Sequence, residues 1–412
     1  MKTNRLLSVA MIVSVIVLAG FSAASLSLGS LGAASGVALA QVAPTALPPI
    51  AVSDVTSAPG SLAAFESTFE QIYTQVNPSV VNIDVIQQAT TSSGGGRFGN
   101  SPFGFGQSGP SEALGSGFVW DKQGDIVTNN HVVNGASSIS VTFADGTTVD
   151  AKVVGNDPNA DLAVIKVDVP ADLLQPVIVA DSTQVKVGEI AIAIGNPYGN
   201  AGSMSQGIIS GLSRTIPADS TGNSSTTYSI PDIIQTDAAI NPGNSGGVLV
   251  DDQGRLIGVT SAMESSSGSG SGVGFVIPSA IVEKVVPALI KTGHFDHPWL
   301  GLSGTTLTPD LAKAMNLKSS QKGVLVMDLA AGGPAAQAGL KASDTQATVS
   351  GQQVPVGGDV ITAVNGQPVN RFEDLMSYLL NQTQPGQSVT LTILRSGKEQ
   401  TLKLTLGTMP TN

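Results

Sequence analysis

The 412-residue chain has no cysteine, which excludes thiol nucleophiles, disulfides and thiolate metal sites and leaves the fold indifferent to the redox state of its compartment. Aromatic residues make up only 4% and charged residues 12% of the sequence, too few for long, charge-laced helices. Cationic surface is also scarce: 19 Lys and Arg against 30 Asp and Glu give a net charge of −11, so no nucleic-acid partner is expected. His131, His294 and His297 are the only imidazoles. With no H-E-x-x-H, paired-cysteine or EF-hand pattern, neither a metal nor a cofactor has an evident ligand set. The glycine-rich stretch near residue 95 lacks the lysine and Ser/Thr of a phosphate cradle. His294 and His297, flanking Phe295 and Asp296, read as a solvated hinge.

What is abundant is glycine, 48 residues of it, the composition of short strands joined by tight turns. The length predicts two or three domains. At the N-terminus Lys2 and Arg5 precede an apolar stretch from Leu6 to about Ala24, an export signal that directs the chain to the periplasm or cell envelope. Two outcomes are open for residues 1–40. Roughly 18 to 20 apolar residues can span a bilayer as an anchor, whereas Ala38-Leu39-Ala40 before Gln41 has the small-x-small form of a cleavage site. The membrane is expected as a partner only through this segment. Residues 41–60, rich in Pro, Ala and Ser, read as a flexible linker.

Phe65, Phe69 and Tyr73 then recur at four-residue spacing and predict one face of a short helix. Such a stripe serves either the local core or a contact between subunits. From Ser79 to about Pro278, short apolar runs such as Ile139 to Phe143, Leu162 to Val167 and Arg255 to Thr260 alternate with turns such as Asp145-Gly146. The pattern predicts a mostly β fold of sandwiches or barrels. Thr90 to Gly115, rich in Gly and Ser and without period, reads as a long surface loop. Ser279 to Lys291 reads as a helix started by its serine, with Pro287 casting doubt on the last turn. A second, smaller unit follows from about residue 295 to 408.

The chemistry centres on Gly243-Asn244-Ser245-Gly246-Gly247. A nucleophilic serine has to project from a tight turn whose neighbouring N–H groups converge on a developing oxyanion, and flanking glycines permit both. A plain Gly/Ser turn is the competing reading. His131 follows the strand-like Ile126-Val127-Thr128, and Asp161 opens the run Leu162 to Val167. Alone, each reads as an ordinary structural residue. Together they supply a base for the serine and an acceptor that fixes the base's tautomer, in the chain order His, Asp, Ser.

The motifs T-N-N-H-V-V, N-D-P-N-A-D-L-A-V-I-K, A-I-G-N-P-Y-G, Q-T-D-A-A-I-N-P-G-N-S-G-G and G-F-V-I-P resemble those of the HtrA/Deg family of serine proteases. The resemblance implies a chymotrypsin-like double β-barrel over residues 61–292. It makes His131 the general base, Asp161 its orienting partner and Ser245 the nucleophile, with an oxyanion hole from the N–H groups of Gly243 and Ser245 and with Asn244 as a third candidate. Ala239, six residues before the nucleophile, falls at the base of the primary specificity pocket. Trp299-Leu300-Gly301-Leu302 resembles the carboxylate-binding loop of a PDZ domain, and G-P-A-A-Q-A-G-L and G-G-D-V-I-T-A-V-N-G-Q-P-V its core, over residues 295–408. Lys341 to Gly357 looks like an insertion in that core. By resemblance the partners are unfolded or damaged exported polypeptides, C-terminal peptides at the PDZ domain, and two further copies in a homotrimer. A peptide-binding scaffold and a dedicated regulatory protease are the alternatives.

Overall fold

The computed structural model describes residues 61–87, 111–196, 202–217, 229–261 and 272–410. The export segment and linker expected at residues 1–60 lie outside them, as does most of the Gly/Ser-rich loop. Among the described residues no helix is long and apolar enough to cross a membrane.

The first helix, α1 (Ser61–Val76), carries the aromatic stripe. Ile72 and Val76 are buried in the largest core cluster, with Phe69 and Tyr73 packed against it. The strands β1 (Val80–Gln87), β2 (Ser111–Val119), β3 (Asp125–Thr128), β4 (Ala136–Thr142), β5 (Thr148–Asp157) and β6 (Leu162–Val167) close into a barrel in the order β1-β2-β3-β6-β5-β4. A single helical turn, α2 (Asn130–Val133), follows β3. The strands β7 (Ile190–Gly195), β8 (Ser203–Pro217), β9 (Ser229–Thr236), β10 (Val248–Val250), β11 (Leu256–Ser261) and β12 (Gly274–Pro278) close a second barrel in the order β10-β11-β12-β9-β8-β7.

Alternation explains most of these strands. In β4, Ile139 and Val141 point inward while Ser138 and Ser140 do not. The fully buried β3 breaks the alternation because it has two apolar sides: Ile126 faces the interior of the first barrel and Val127 the cluster shared with the second.

The expected loop at Thr90 to Gly115 ends sooner than its composition suggests, because Ser111 to Gly115 belong to β2, which pairs with β1 along its whole length. Its glycines mark close packing. A Cβ on Gly115 would lie 2.5 Å from Val132 Cγ1, and one on Gly117 would lie 2.8 Å from Ile83 Cδ1.

After β12 comes α3 (Ser279–Thr292), which runs unbroken past Pro287. That proline is on the exposed face, where the missing N–H costs least, while Ile281, Val282, Val285, Val286 and Leu289 hold the other face in the core. Ser279 does not cap the helix. Its hydroxyl donates to Ala180 O at 2.5 Å and accepts from Ser182 N at 3.2 Å.

The C-terminal unit begins with β13 (Pro298–Trp299) and β14 (Leu302–Thr306), then α4 (Pro309–Ala314), β15 (Val324–Leu329) and α5 (Pro334–Gln337). It continues through the hairpin β16 (Thr345–Val349) and β17 (Gln352–Val356), then β18 (Val360–Val364), β19 (Gln367–Pro368), α6 (Phe372–Gln382), β20 (Ser388–Arg395), β21 (Lys398–Thr405) and β22 (Gly407–Thr408). Its main sheet has the order β14-β15-β18-β20-β21, which leaves β14 at an edge. The insertion is the β16–β17 ribbon, whose Ala347, Val349 and Val354 pack against the cluster containing Leu311 and Leu325. Buried Asp359 receives Arg395 Nε at 2.8 Å and Nη2 at 2.7 Å, fixing the G-G-D turn. The same hydrogen bonding holds the Arg395 guanidinium above its usual pKa.

This unit is seated on the second barrel. Leu380 of α6 joins the barrel core. Asp232 of β9 accepts from Ser377 Oγ at 2.6 Å and Asn381 Nδ2 at 2.7 Å. Lys284 of α3 donates to Leu380 O and, at 3.3 Å, to Thr383 O.

Candidate active site

The turn between β5 and β6 is closed by the pair Asp157↔Leu162, and Asp161 is its last residue. Asp161 has φ +51, a left-handed conformation that a short polar side chain tolerates better than a branched one. Asn129 Nδ2 holds the Asp161 carbonyl at 2.9 Å. The Asp161 side chain is 1% exposed, so its carboxylate needs several donors to be stable. It accepts the His131 backbone N–H at 3.0 Å and Nδ1 of the same residue at 2.9 and 3.0 Å. Ser261 Oγ adds a longer bond at 3.4 Å.

Because an ionised carboxylate only accepts, Nδ1 carries the proton and the lone pair of neutral His131 sits on Nε2. The His131 side chain is 31% exposed. The pair therefore fixes the tautomer of the imidazole and leaves its Nε2 lone pair unused by Asp161.

Ser245 lies on the second barrel in the turn before β10. Asn244 N–H donates to Asn241 O and Gly247 N–H to Asn244 O, each at 2.9 Å. The turn uses left-handed backbone at Gly243, φ +93, and Gly246, φ +85. Gly246 also has no room for a side chain, since a Cβ would lie 2.1 Å from Ser116 O and 2.3 Å from Thr128 Oγ1. That contact brings the serine turn against the end of β3, three residues before His131.

Ser116 of β2 joins the two barrels. Its N–H donates to Ser245 O at 2.8 Å, its Oγ donates to Gly243 O at 2.6 Å and accepts Asn196 N–H at 2.8 Å, and its carbonyl accepts from Thr128 Oγ1 at 2.7 Å. Ser116, Asn129 and Ser261 were not singled out from the sequence, where each is one polar residue in or beside a strand. Ala239 is exposed, and its carbonyl accepts from Ser205 Oγ at 2.9 Å. The adjacent Ile240 is half-buried over Gly274, where a Cβ would come within 2.6 Å of Ile240 Cγ1.

Two family patterns match this chain: "Trypsin-like peptidase domain" over residues 115–259 and "PDZ domain" over residues 300–406. The HtrA-type protease AlgW, solved with a decapeptide, superimposes with a TM-score of 0.62 at 32% identity, covering 84% of this chain and 99% of that one. The chain belongs to the HtrA/Deg family. Among curated HtrA/Deg relatives, "Protease Do-like 1, chloroplastic" of Arabidopsis thaliana is 44% identical over 73% of the chain and 64% of its own length. The "Periplasmic pH-dependent serine endoprotease DegQ" of Escherichia coli is 38% identical over 73% of the chain and 60% of its own. The chain thus spans less than two thirds of these curated relatives. Its two closed barrels are the chymotrypsin-like arrangement, followed by the PDZ domain.

In that domain the loop at Trp299 to Leu302 leads into edge strand β14. The Leu300 and Gly301 carbonyls accept from Ala335 N at 2.8 Å and Ala330 N at 2.9 Å. In a planar trans peptide the next N–H points the opposite way. The amides of Gly301 and Leu302 are therefore directed away from the domain's own backbone. Helix α6 flanks β14, with Phe372 N–H donating to Thr306 Oγ1 at 2.9 Å.

The reading of His294 and His297 as a solvated hinge holds for the first only. His297 and Asp157 side chains are each 2% exposed, with Nε2 and Oδ2 at 2.7 Å. A partner 140 residues away in sequence left no local signal.

Proposed function

We propose that the chain is an exported serine endopeptidase that hydrolyses peptide bonds of unfolded or damaged polypeptides, with a peptidase domain over residues 61–292 and a PDZ domain over 295–408. The observation that carries the proposal is the imidazole of His131 held by Asp161, together with a glycine-flanked serine turn of the other barrel packed against the end of β3, three residues before His131. His131 Nε2 takes the Ser245 hydroxyl proton as Oγ bonds to the scissile carbonyl carbon. The Gly243 and Ser245 N–H groups receive the resulting oxyanion, while the Asn244 N–H keeps the turn closed on Asn241. Collapse of the intermediate breaks the C–N bond, and the leaving amine takes the proton from His131. Water, deprotonated by the same nitrogen, then hydrolyses the acyl-enzyme.

The PDZ loop at Trp299 to Leu302 receives the C-terminal carboxylate of a peptide that adds to the β14 edge. The names of the periplasmic relatives support a periplasmic or envelope location, and assembly is as a trimer through α1. The deciding experiment is casein digestion by purified Ser245→Ala protein. Loss of cleavage with an unchanged fold is expected, and digestion at the wild-type rate would end the serine-protease reading.

A further inference from the structure

The segment that leads from α3 into the PDZ domain lies against the strand that presents Asp161. Gly155 of β5 has no side chain because a Cβ there would sit 2.6 Å from Leu289 O and 2.7 Å from Gly293 O. Asn156 N–H donates to Gly293 O at 3.2 Å, and Asn156 Nδ2 donates to Asn130 Oδ1 at 2.7 Å, one residue before His131. The next residue, Asp157, uses both carboxylate oxygens. Oδ1 accepts Asn159 N–H at 3.0 Å inside the turn that ends at Asp161, and Oδ2 accepts His297 Nε2 at 2.7 Å.

His297 is in turn tied to the PDZ domain. Its carbonyl accepts Met409 N–H at 2.9 Å beside the pair Pro298↔Thr408 of β13 and β22. Its ring stands edge-on to Phe295 with centroids 4.8 Å apart.

We infer that His297 is a positioning residue for catalysis: through Asp157 it fixes the turn carrying Asp161, and with it the carboxylate that aligns His131. The inference rests on the serine-protease reading above. It differs from a purely structural role in its consequence. A buried polar link that only stabilised the fold would change unfolding, whereas one that positions Asp161 changes the rate of serine acylation below the unfolding range, because small misplacements of a catalytic group cost large factors in rate.

The test uses the full-length protein with two readouts, the second-order rate of Ser245 labelling by a fluorophosphonate and kcat and KM on a chromogenic peptide. His297→Ala and Asp157→Ala are each expected to lower kcat and the labelling rate about tenfold, with KM within about twofold of the wild type. The double variant should be no slower than the slower single one. His297→Gln, whose amide can still donate to Asp157, should recover most of the rate. A folded His297→Ala protein that melts earlier yet labels as fast as the wild type would overturn the inference and leave the protease reading intact. Should His297→Ala not fold, Asp157→Ala decides the question, since it removes both oxygens that serve Asn159 and His297; wild-type labelling and turnover there would overturn it equally. A wild-type protein left unlabelled at Ser245 would overturn the catalytic assignment, and this inference with it.

Discussion

Ser116 N–H donates to the carbonyl of Ser245 across the barrel interface at 2.8 Å. With its hydroxyl bonded to Gly243 O and Asn196 N, one small residue of β2 holds the peptide planes that follow Gly243 and Ser245. Ser116→Ala keeps the backbone bond but leaves a buried carbonyl and amide without the hydroxyl, a cost of about 1–3 kcal/mol. We expect a lower urea midpoint and a fall in kcat larger than any rise in KM, because a displaced Gly243–Asn244 peptide disturbs the adjoining Gly243 N–H of the proposed oxyanion hole without touching the substrate. Unchanged kcat in the folded variant would remove Ser116 from the catalytic account.

Asp161→Asn tests the orienting bond. Asparagine can present its oxygen or its NH2 to His131 Nδ1, and the second choice puts the imidazole proton on Nε2, where a base cannot work. Turnover should drop roughly 10⁴-fold, with far less effect on peptide binding at the PDZ domain. A less than tenfold loss in steady-state assays would contradict the assigned tautomer.

Most strands were legible because alternation and turn glycines are local signals. Leu162 to Val167 coincides with β6, and Arg255 to Thr260 nearly with β11. The start of β2 was not legible, because Gly115 and Gly117 look like loop residues until Val132 and Ile83 are known to lie against them. The same limit applies to the site. His131, Asp161 and Ser245 stand in recognisable motifs, whereas Ser116, Ser261 and Asp157 acquire meaning only from partners brought together by barrel closure. His297 reads as exposed beside Pro298, yet it is buried against Asp157 of β5.

Cleavage specificity follows from the residues before the serine turn. In the proposed primary pocket Ala239 offers no carboxylate to a basic side chain, and the adjacent Ile240 packs over Gly274. Cleavage should fall after Val, Ala or Leu, with discrimination of about 1–3 kcal/mol per methylene. Mass-spectrometric mapping of a few dozen cuts in casein checks this, and a predominance of Lys or Arg at the cleaved position would refute it. Ile240→Ala should shift the preference toward larger aliphatic residues.

Carboxylate capture at the PDZ loop is testable on full-length Ser245→Ala protein, which cannot consume the ligand. The outward amides of Gly301 and Leu302 favour an anion at the end of an added strand. A free-acid peptide should bind at least tenfold more tightly than its amidated twin by calorimetry, a difference of about 1.4 kcal/mol. Equal affinities would show that the loop does not read the terminus.

The two ends of the aromatic stripe on helix α1 differ in burial. Tyr73 Oη donates to Gly202 O at 2.8 Å, and Phe69 packs on the core, so the C-terminal half is anchored within its own subunit. Toward the N-terminus Phe65 is 44% and Leu62 68% exposed, and the Phe65 ring rests edge-on against Phe69 at 4.6 Å. Exposed apolar side chains on an anchored helix favour contact with another copy of the chain, since aromatics contribute large buried areas at such interfaces. Leu62→Ser with Phe65→Ser should therefore convert a trimer to monomers at micromolar concentration while leaving the melting temperature of the dissociated subunit nearly unchanged. Tyr73→Ala should act in the opposite order, lowering the melting temperature first. Multi-angle light scattering of residues 41–412 reads the mass directly. A fully active wild-type protein of monomeric mass would rule the trimer out.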